Sequence, residues 1–293
     1  MPPTLLQSAM PLLFVLLWST GFLGAKFGLP YAEPLTFLSL RYVLVIALML
    51  AVALAMRAPW PRDRVQVFHI GVTGVLVQAV YLGGVFTAIH LGLAAGVAAL
   101  VVGLQPLLTA LGAGWLLREK VSARQWSGLA LGFIGVALVV GSKSLQDGLQ
   151  WDEIGVMVIP VIVALIAITL GTLYQKRFCP GFDLRTGSVI QFVPSLILTA
   201  FLAWRTETMQ VDWTGEFVFA LGWLVLVLSL GAISLLNLLI RSGSAVNVAS
   251  LFYLTPPTTA LLAWLLFDET LTGFALIGMA IAVLGVWLAR KRA

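Results

Sequence analysis

Residues 95–120, AGVAALVVGLQPLLTALGAGWLLREK, return in altered form as residues 245–270, AVNVASLFYLTPPTTALLAWLLFDET. At a constant offset of 150 the two stretches pair Pro106 with Pro256, Ala99 with Ala249, Thr109 with Thr259 and Glu119 with Glu269. The same register continues through Gly128 with Gly278 and Gly135 with Gly285. Apolar helices share Leu and Ala by chance, but Pro, Glu and Gly matched at one offset indicate an internal duplication. The halves read as residues 1–141 and 154–293. The connection between them, 142–153, is marked as a loop by Gly148 and mixed polar residues.

Composition places both halves in a bilayer. The chain is 60% hydrophobic and 10% charged, where a soluble domain carries about 25% charged residues. A spanning helix needs about 20 mainly apolar residues, so 293 residues accommodate about ten. They fall near 8–27, 35–56, 65–89, 93–117, 125–141, 154–178, 184–203, 216–240, 245–267 and 271–289. The expected fold is therefore an all-α integral membrane protein, with no segment left for a soluble domain. The net charge of +5 comes from basic residues scattered singly between apolar runs, which excludes a nucleic-acid patch. The single cysteine, Cys179, cannot make an internal disulfide or a thiolate metal site. Nothing calls for a cofactor, and no Lys or Arg before Lys26 supplies the basic start of a cleavable signal.

Charge decides the orientation. With a cytoplasmic N-terminus, most of the 17 Lys and Arg fall on the inner side, from Arg57, Arg62 and Arg64 to Arg290, Lys291 and Arg292. That is the positive-inside pattern, and it puts both termini in the cytoplasm. Five helices per half is an odd number, so the second half enters the membrane in the opposite sense to the first. Inverted halves are the usual construction of an alternating-access carrier, with its site between them near the midplane.

Trp18-Ser19-Thr20-Gly21-Phe22 with Lys26, then Pro34-Leu35, Arg41-Tyr42, and the Gln105-Pro106 to Glu119 block with its repeat, resemble the EamA-type drug/metabolite transporter superfamily over essentially the whole chain. The resemblance implies a ten-helix carrier of small metabolites, with amino-acid efflux a recurrent activity and a cavity lined by helices 1, 3, 4, 6, 8 and 9. Three departures matter. Gln105 and Thr255 stand where such proteins often carry Glu, and Ile168 stands where a Trp equivalent to Trp18 is common. Helix 1 also has no Glu of the kind on which small multidrug-resistance relatives depend.

The candidate cavity residues are polar or aromatic side chains that lipid does not accept. Gln105 and Thr109 lie one turn apart, and Gln78 and Tyr81 share a face. Asn237 belongs to one polar stripe and Asn247 to another, while Trp18, Thr20 and Tyr253 add aromatic and hydroxyl groups. Arg41, about two turns inside helix 2, needs a partner or a wet cavity. It either holds a substrate carboxylate, snorkels outward, or pairs with Glu33. Pro106 and Pro256 each remove a backbone hydrogen bond and kink a helix at matched places. The small faces Gly128, Gly132, Gly135 and Gly278, Ala282, Gly285 read as close helix packing, with a dimer seam as the alternative. His69 and His90 lie at opposite ends of helix 3, too far apart for a metal site.

The expected function is inner-membrane export of small amphipathic solutes, amino acids foremost, by a monomer or weak homodimer whose partners are its substrate and the lipid bilayer. Efflux of drugs or other organic solutes is the alternative. An intramembrane enzyme lacks its apparatus here: there is no His-Glu-x-x-His, and no carboxylate in an expected span apart from Glu216 at the very end of 216–240.

Overall fold

The computed structural model describes residues 5–93, 98, 101–118, 120–144, 151–179, 181–242, 244–267 and 273–289. These form ten helical rods and no strand, with one isolated bridge between Ala32 and Val211. The rods are α1 (Leu5–Gly28), α2 (Pro34–Ala55), α3 (Arg64–His90), α4 (105–117), α5 (Ala123–Ser144), α6 (Trp151–Phe178), α7 (Leu184–Thr206), α8 (Gly215–Ser242), α9 (245–267) and α10 (Gly273–Ala289). Five are long and apolar enough to cross a membrane: α2, α3, Val158–Phe178 of α6, α7 and α8. Shorter apolar runs occupy Ala9–Gly21 and Leu276–Ala289. Their outward faces carry bare hydrophobic side chains, with Leu54, Ile197 and Phe219 each more than 60% exposed. Water would penalise that surface, whereas lipid does not. The chain is a multi-pass membrane protein.

The connection between the halves is shorter than 142–153. α5 runs on to Ser144 and α6 already begins at Trp151. Residues 145–150, Glu119 and the basic tail 290–292 lie outside the described residues.

α2 and α7 lie side by side and antiparallel, clasped at both ends. The Glu207 carboxylate, just past α7, accepts from the Leu35 and Thr36 amides at 2.8 and 2.7 Å and from the Thr36 hydroxyl. It thereby caps the N-terminus of α2, where free N–H groups and the helix dipole favour an anion. At the other end the Thr186 hydroxyl donates to the Pro59 carbonyl at 2.9 Å. Glu33 reaches across to the Thr208 amide and hydroxyl, both at 2.6 Å. Those bonds hold its carboxyl below the usual range, the Thr208 hydroxyl contributing most.

The small faces of α5 and α10 pack on each other inside one chain. A Cβ added to Gly128 would lie 2.6 Å from the Gly285 oxygen, and one added to Gly135 would lie 2.6 Å from the Gly278 oxygen. No side chain fits such a backbone approach.

α3 and α8 depart from α geometry at equivalent places, and α4 ends in a π-helical turn of its own, Ala113–Leu117. α3 is π-helical over Val75–Val80 and α8 over Leu224–Ala232. A π-turn advances the side chains out of α phase and loosens the carbonyl ladder, and such turns gather at functional sites. The chain also breaks ahead of both matched prolines, by a turn at 103–104 before Pro106 and by a 3-10 turn, Leu251–Leu254, before Pro256.

Candidate functional site

The π-helical segment of α8 and the turn of α3 just past its own π segment face a cavity of about 40 Å³ between α1, α2, α3 and α8. Its walls are mostly apolar, including Val85, Phe86, Leu228 and Ile233, and into it come Trp18, Arg41 and Tyr81. Close approach of α1 to α8 forms the wall. A Cβ at Gly21 would stand 3.0 Å from Leu228 Cδ1, and one at Gly24 would stand 2.9 Å from Leu224 Cδ2. Trp18 lies nearly parallel to Tyr81, centroids 6.3 Å apart and planes 13° apart, and meets Phe252 edge-on at 5.3 Å. The aromatic groups are thus held by one another, leaving a firm surface for an apolar side chain.

Arg41 is 2% exposed. Its Nε donates to the Ser229 hydroxyl at 2.9 Å, and Ser229 in turn donates to the Leu224 carbonyl five residues back, at 3.1 Å. Residues five apart face each other across one π-helical turn, which brings the Ser229 hydroxyl to that carbonyl. Among the described residues the one ion pair is Arg185 with Asp183, at 2.6 Å, so no described carboxylate neutralises Arg41. Neither simple alternative for this residue is what the structure contains: Arg41 does not reach the surface, and Glu33 is engaged by Thr208. A guanidinium in the middle of a span costs about 2.5–3.5 kcal/mol on insertion scales. One neutral hydrogen bond offsets only part of that.

The other expected site residues separate into groups. Gln78 is fully buried one turn along α3 from Tyr81, and both its amide atoms lack a partner among the described residues. Gln105 donates through Nε2 to the Thr172 hydroxyl at 3.4 Å, and Gln175 donates to Asn237 Oδ1 at 2.8 Å. Thr172 and Gln175 lie three apart on α6, so the two separate bonds tie α4 and α8 to one face of α6. Thr109 is fully buried a turn beyond Gln105, and its hydroxyl is unpartnered among the described residues.

Three residues stand apart from the cavity wall. Thr20 donates to the Leu17 carbonyl and accepts from the Trp223 indole at 3.0 Å. Asn247 sits in the first turn of α9, its amide capped by Ser244 at 3.1 Å. Tyr253 is fully buried with its ring against Gly132 of α5. Pro106 and Pro256 are buried at the helix breaks already described.

Ser229, Thr172 and Gln175 were missed by the sequence reading. Ser229 stands eight residues from Asn237, a spacing that returns to one α-helical face, and this was the available signal. Away from the cavity, His69 meets the Tyr174 hydroxyl at 2.6 Å and stacks on Phe178 at 5.0 Å. It is therefore tied into the α3–α6 contact rather than solvated at the interface. Among the described residues no three His, Cys, Asp or Glu side chains gather as metal ligands would.

Comparison with known proteins gives a consistent pattern. The model of the EamA-like transporter family matches residues 8–141 and 154–290. The "Uncharacterized inner membrane transporter YedA" of Escherichia coli K12 is 26% identical over 275 residues, covering 93% of this chain and 87% of its own. The "Probable amino-acid metabolite efflux pump" of the same organism is 25% identical, covering 96% and 94%. One solved crystal structure superposes with a TM-score of 0.80 at 19% identity, covering 96% of this chain and 95% of its own, a likeness of fold.

Proposed function

The chain belongs to the EamA-like transporter family, and from that premise we propose that it exports amphipathic amino acids across the inner membrane by alternating access. In this reading all ten rods span the bilayer as two inverted five-helix halves, with both termini cytoplasmic. The antiparallel clasp of α2 with α7 supports the inversion. So does the exchange of equivalent glycines across the α5–α10 seam. The name of the E. coli efflux pump supports the substrate class.

The observation that carries the proposal is Arg41, buried in an aromatic, apolar cavity with one neutral hydrogen bond and no described carboxylate beside it. A solute carboxylate would supply the missing charge, and its side chain would lie against Trp18 and Tyr81. The cavity of about 40 Å³ has room for about three waters at roughly 10–15 Å³ each but not for a whole metabolite. The halves must therefore move apart to admit one.

The test is counterflow in vesicles holding the reconstituted protein, loaded with unlabelled amino acids and offered labelled ones. Exchange of apolar or aromatic amino acids is expected, and it should fall roughly tenfold or more in Arg41→Gln, as for loss of a charged hydrogen bond. Equal exchange of the acid and its neutral amide would sink the carboxylate role of Arg41.

A further inference from the structure

The outer rim of the α5–α10 seam carries cations and tryptophans that the fold leaves unused, and we propose that it binds the head group of an anionic phospholipid. The site is separate from the Arg41 cavity and needs nothing from the amino-acid reading. It takes from the proposed orientation only the leaflet it meets, which is the inner one.

The seam brings two helix ends to one level. A Cβ on Gly128 would run into the backbone of Ala289, so the first turns of α5 lie beside the last turn of α10. Arg124, one turn before Gly128, reaches across to the neighbouring helix, its Cζ over the Trp287 ring at 5.3 Å from the centroid. Both side chains are exposed. The ring attracts the guanidinium and sets its place, but it offers no oxygen to the five N–H donors. No described carboxylate does so either, since the one ion pair among the described residues is Arg185 with Asp183. A planar fork held by its face and unfilled at its edges suits a phosphodiester, which accepts two parallel N–H bonds.

The surroundings add charge and an interface. By sequence, residues 115–126 hold three cations, Arg118, Lys120 and Arg124, against one carboxylate, Glu119, and Arg290, Lys291 and Arg292 follow directly on Ala289. Arg118 and Lys120 are exposed. Trp115, 86% exposed, stands at the end of α4, and Trp126 is exposed near the start of α5. With Trp287 they make three bare indoles at one level, the pattern of a head-group boundary. Leu284 and Ile277 precede Trp287 by three and ten residues, on the same face of α10, and both are more than half exposed. Because the backbones of α5 and α10 touch, acyl chains cannot enter the seam and lie along this apolar stripe instead. A soluble acidic partner would use the cations and leave the stripe bare, whereas a phospholipid covers both. Basic surfaces at the cytoplasmic ends of paired spanning helices are suited to anionic head groups for this reason. The other cations on that side differ. Arg185 is paired with Asp183, Arg241 donates to the Phe182 carbonyl and Lys176 to the Ile240 carbonyl. Arg62 is exposed in the α2–α3 connection with no ring beneath it.

The experiment titrates the purified full-length protein in a neutral detergent with cardiolipin, phosphatidylcholine or inorganic phosphate. Bound lipid is counted on the folded protein by native mass spectrometry, and the thermal midpoint is followed in parallel. Cardiolipin should bind saturably and raise the midpoint, as a ligand of the folded state does, while phosphatidylcholine and inorganic phosphate should do neither. Arg124→Gln should weaken cardiolipin binding about fivefold, and Trp287→Leu about threefold through loss of the ring that places the guanidinium. Arg62→Gln, which removes the same charge from the same side, should leave binding unchanged. Equal weakening in Arg62→Gln would reduce the site to a general positive surface and overturn it. So would full binding in both Arg124→Gln and Trp287→Leu. A midpoint raised as far by inorganic phosphate would make this a site for free anions, and retention of a second copy of the chain in place of lipid would make it an interface between copies. Either result overturns the lipid assignment. No solute enters these measurements, so silence in counterflow would end the amino-acid reading and leave the lipid site standing.

Discussion

The α5–α10 seam and the Arg41 cavity descend from the same duplicated sequence and have diverged to opposite degrees. In the seam, Gly128 and Gly135 oppose Gly285 and Gly278, so each residue meets the other's equivalent. In the cavity the equivalents are unlike. Arg41 corresponds to Gln191, Tyr81 to Gly231, Ser229 to Ala79 and Trp18 to Ile168. Packing of two backbones imposes the same demand on both halves, so the repeat survives there. A solute with an ammonium at one end and an apolar group at the other has no two-fold symmetry, and a site that orients it cannot keep one. Under the proposed function, symmetry marks the scaffold and its loss marks the site.

The largest effect that tests this contrast lies in the seam. Gly128→Leu must push α10 away, because the Gly285 oxygen occupies the required space at 2.6 Å. The loss should exceed about 3 kcal/mol, the upper range of ordinary overpacking, and should be visible as loss of a monodisperse, folded peak in detergent. The equivalent Gly278→Leu should be equally damaging. A tolerant Gly278 beside an intolerant Gly128 would break the symmetry claimed for this region.

Ser229→Ala probes the asymmetric region with a smaller effect. It leaves the Arg41 Nε without its acceptor, and a hydrogen bond to a charged group is worth about 1.5–3 kcal/mol. Folding should survive, since Ser229 is a small side chain in an already distorted turn. The apparent affinity for a carboxylate-bearing solute should change about tenfold in the direction of weakening, as Arg41 loses its orientation. The expected readout is KM in counterflow with little change in maximal rate. Ala79→Ser, the symmetric substitution, should leave both parameters alone. Equal effects at the two positions would remove the distinction between scaffold and site.

The scaffold was more legible in the sequence than the site. Pro106 with Pro256 and the glycines of α5 and α10 announced the duplication, because backbone constraints leave few residue choices. Arg41, Trp18 and Tyr81 were also legible, as costly or aromatic groups among apolar neighbours. Ser229, Thr172 and Gln175 were not, since single hydroxyls and amides commonly bridge helices and carry no spacing of their own. The π-helical turns in α3 and α8 compounded this by moving side chains out of the 3.6-residue phase. Tyr253 and Thr20 do not line the Arg41 cavity, and periodicity gave each of them a face without naming its neighbour. Tyr253 faces Gly132, and Thr20 faces Trp223.

The loops repeat the contrast on a finer scale. Glu33 and Asp183 are equivalent, each preceding the second helix of its half. Asp183 caps its own helix, accepting from the Arg185 amide at 2.9 Å, and pairs with the Arg185 side chain, which holds its carboxyl low. Glu33 makes no such cap and instead binds Thr208 across the clasp. Both carboxyls are depressed, so each contribution is present above the unfolded value of about 4 and is lost as pH falls through the lower folded value. Asp183→Asn keeps the cap acceptor and loses the screened pair with Arg185, so it should cost about 0.5–1 kcal/mol. Glu33→Gln keeps an acceptor in an exposed loop and should cost about 0.5 kcal/mol or less. Thermal midpoints in detergent check both, wild type against variant, at pH 7 and again near pH 3. The gap at each position should close on acidification, the Asp183 gap being the larger at pH 7. A gap independent of pH would mean that shape, and not the ionised carboxylate, holds these loops.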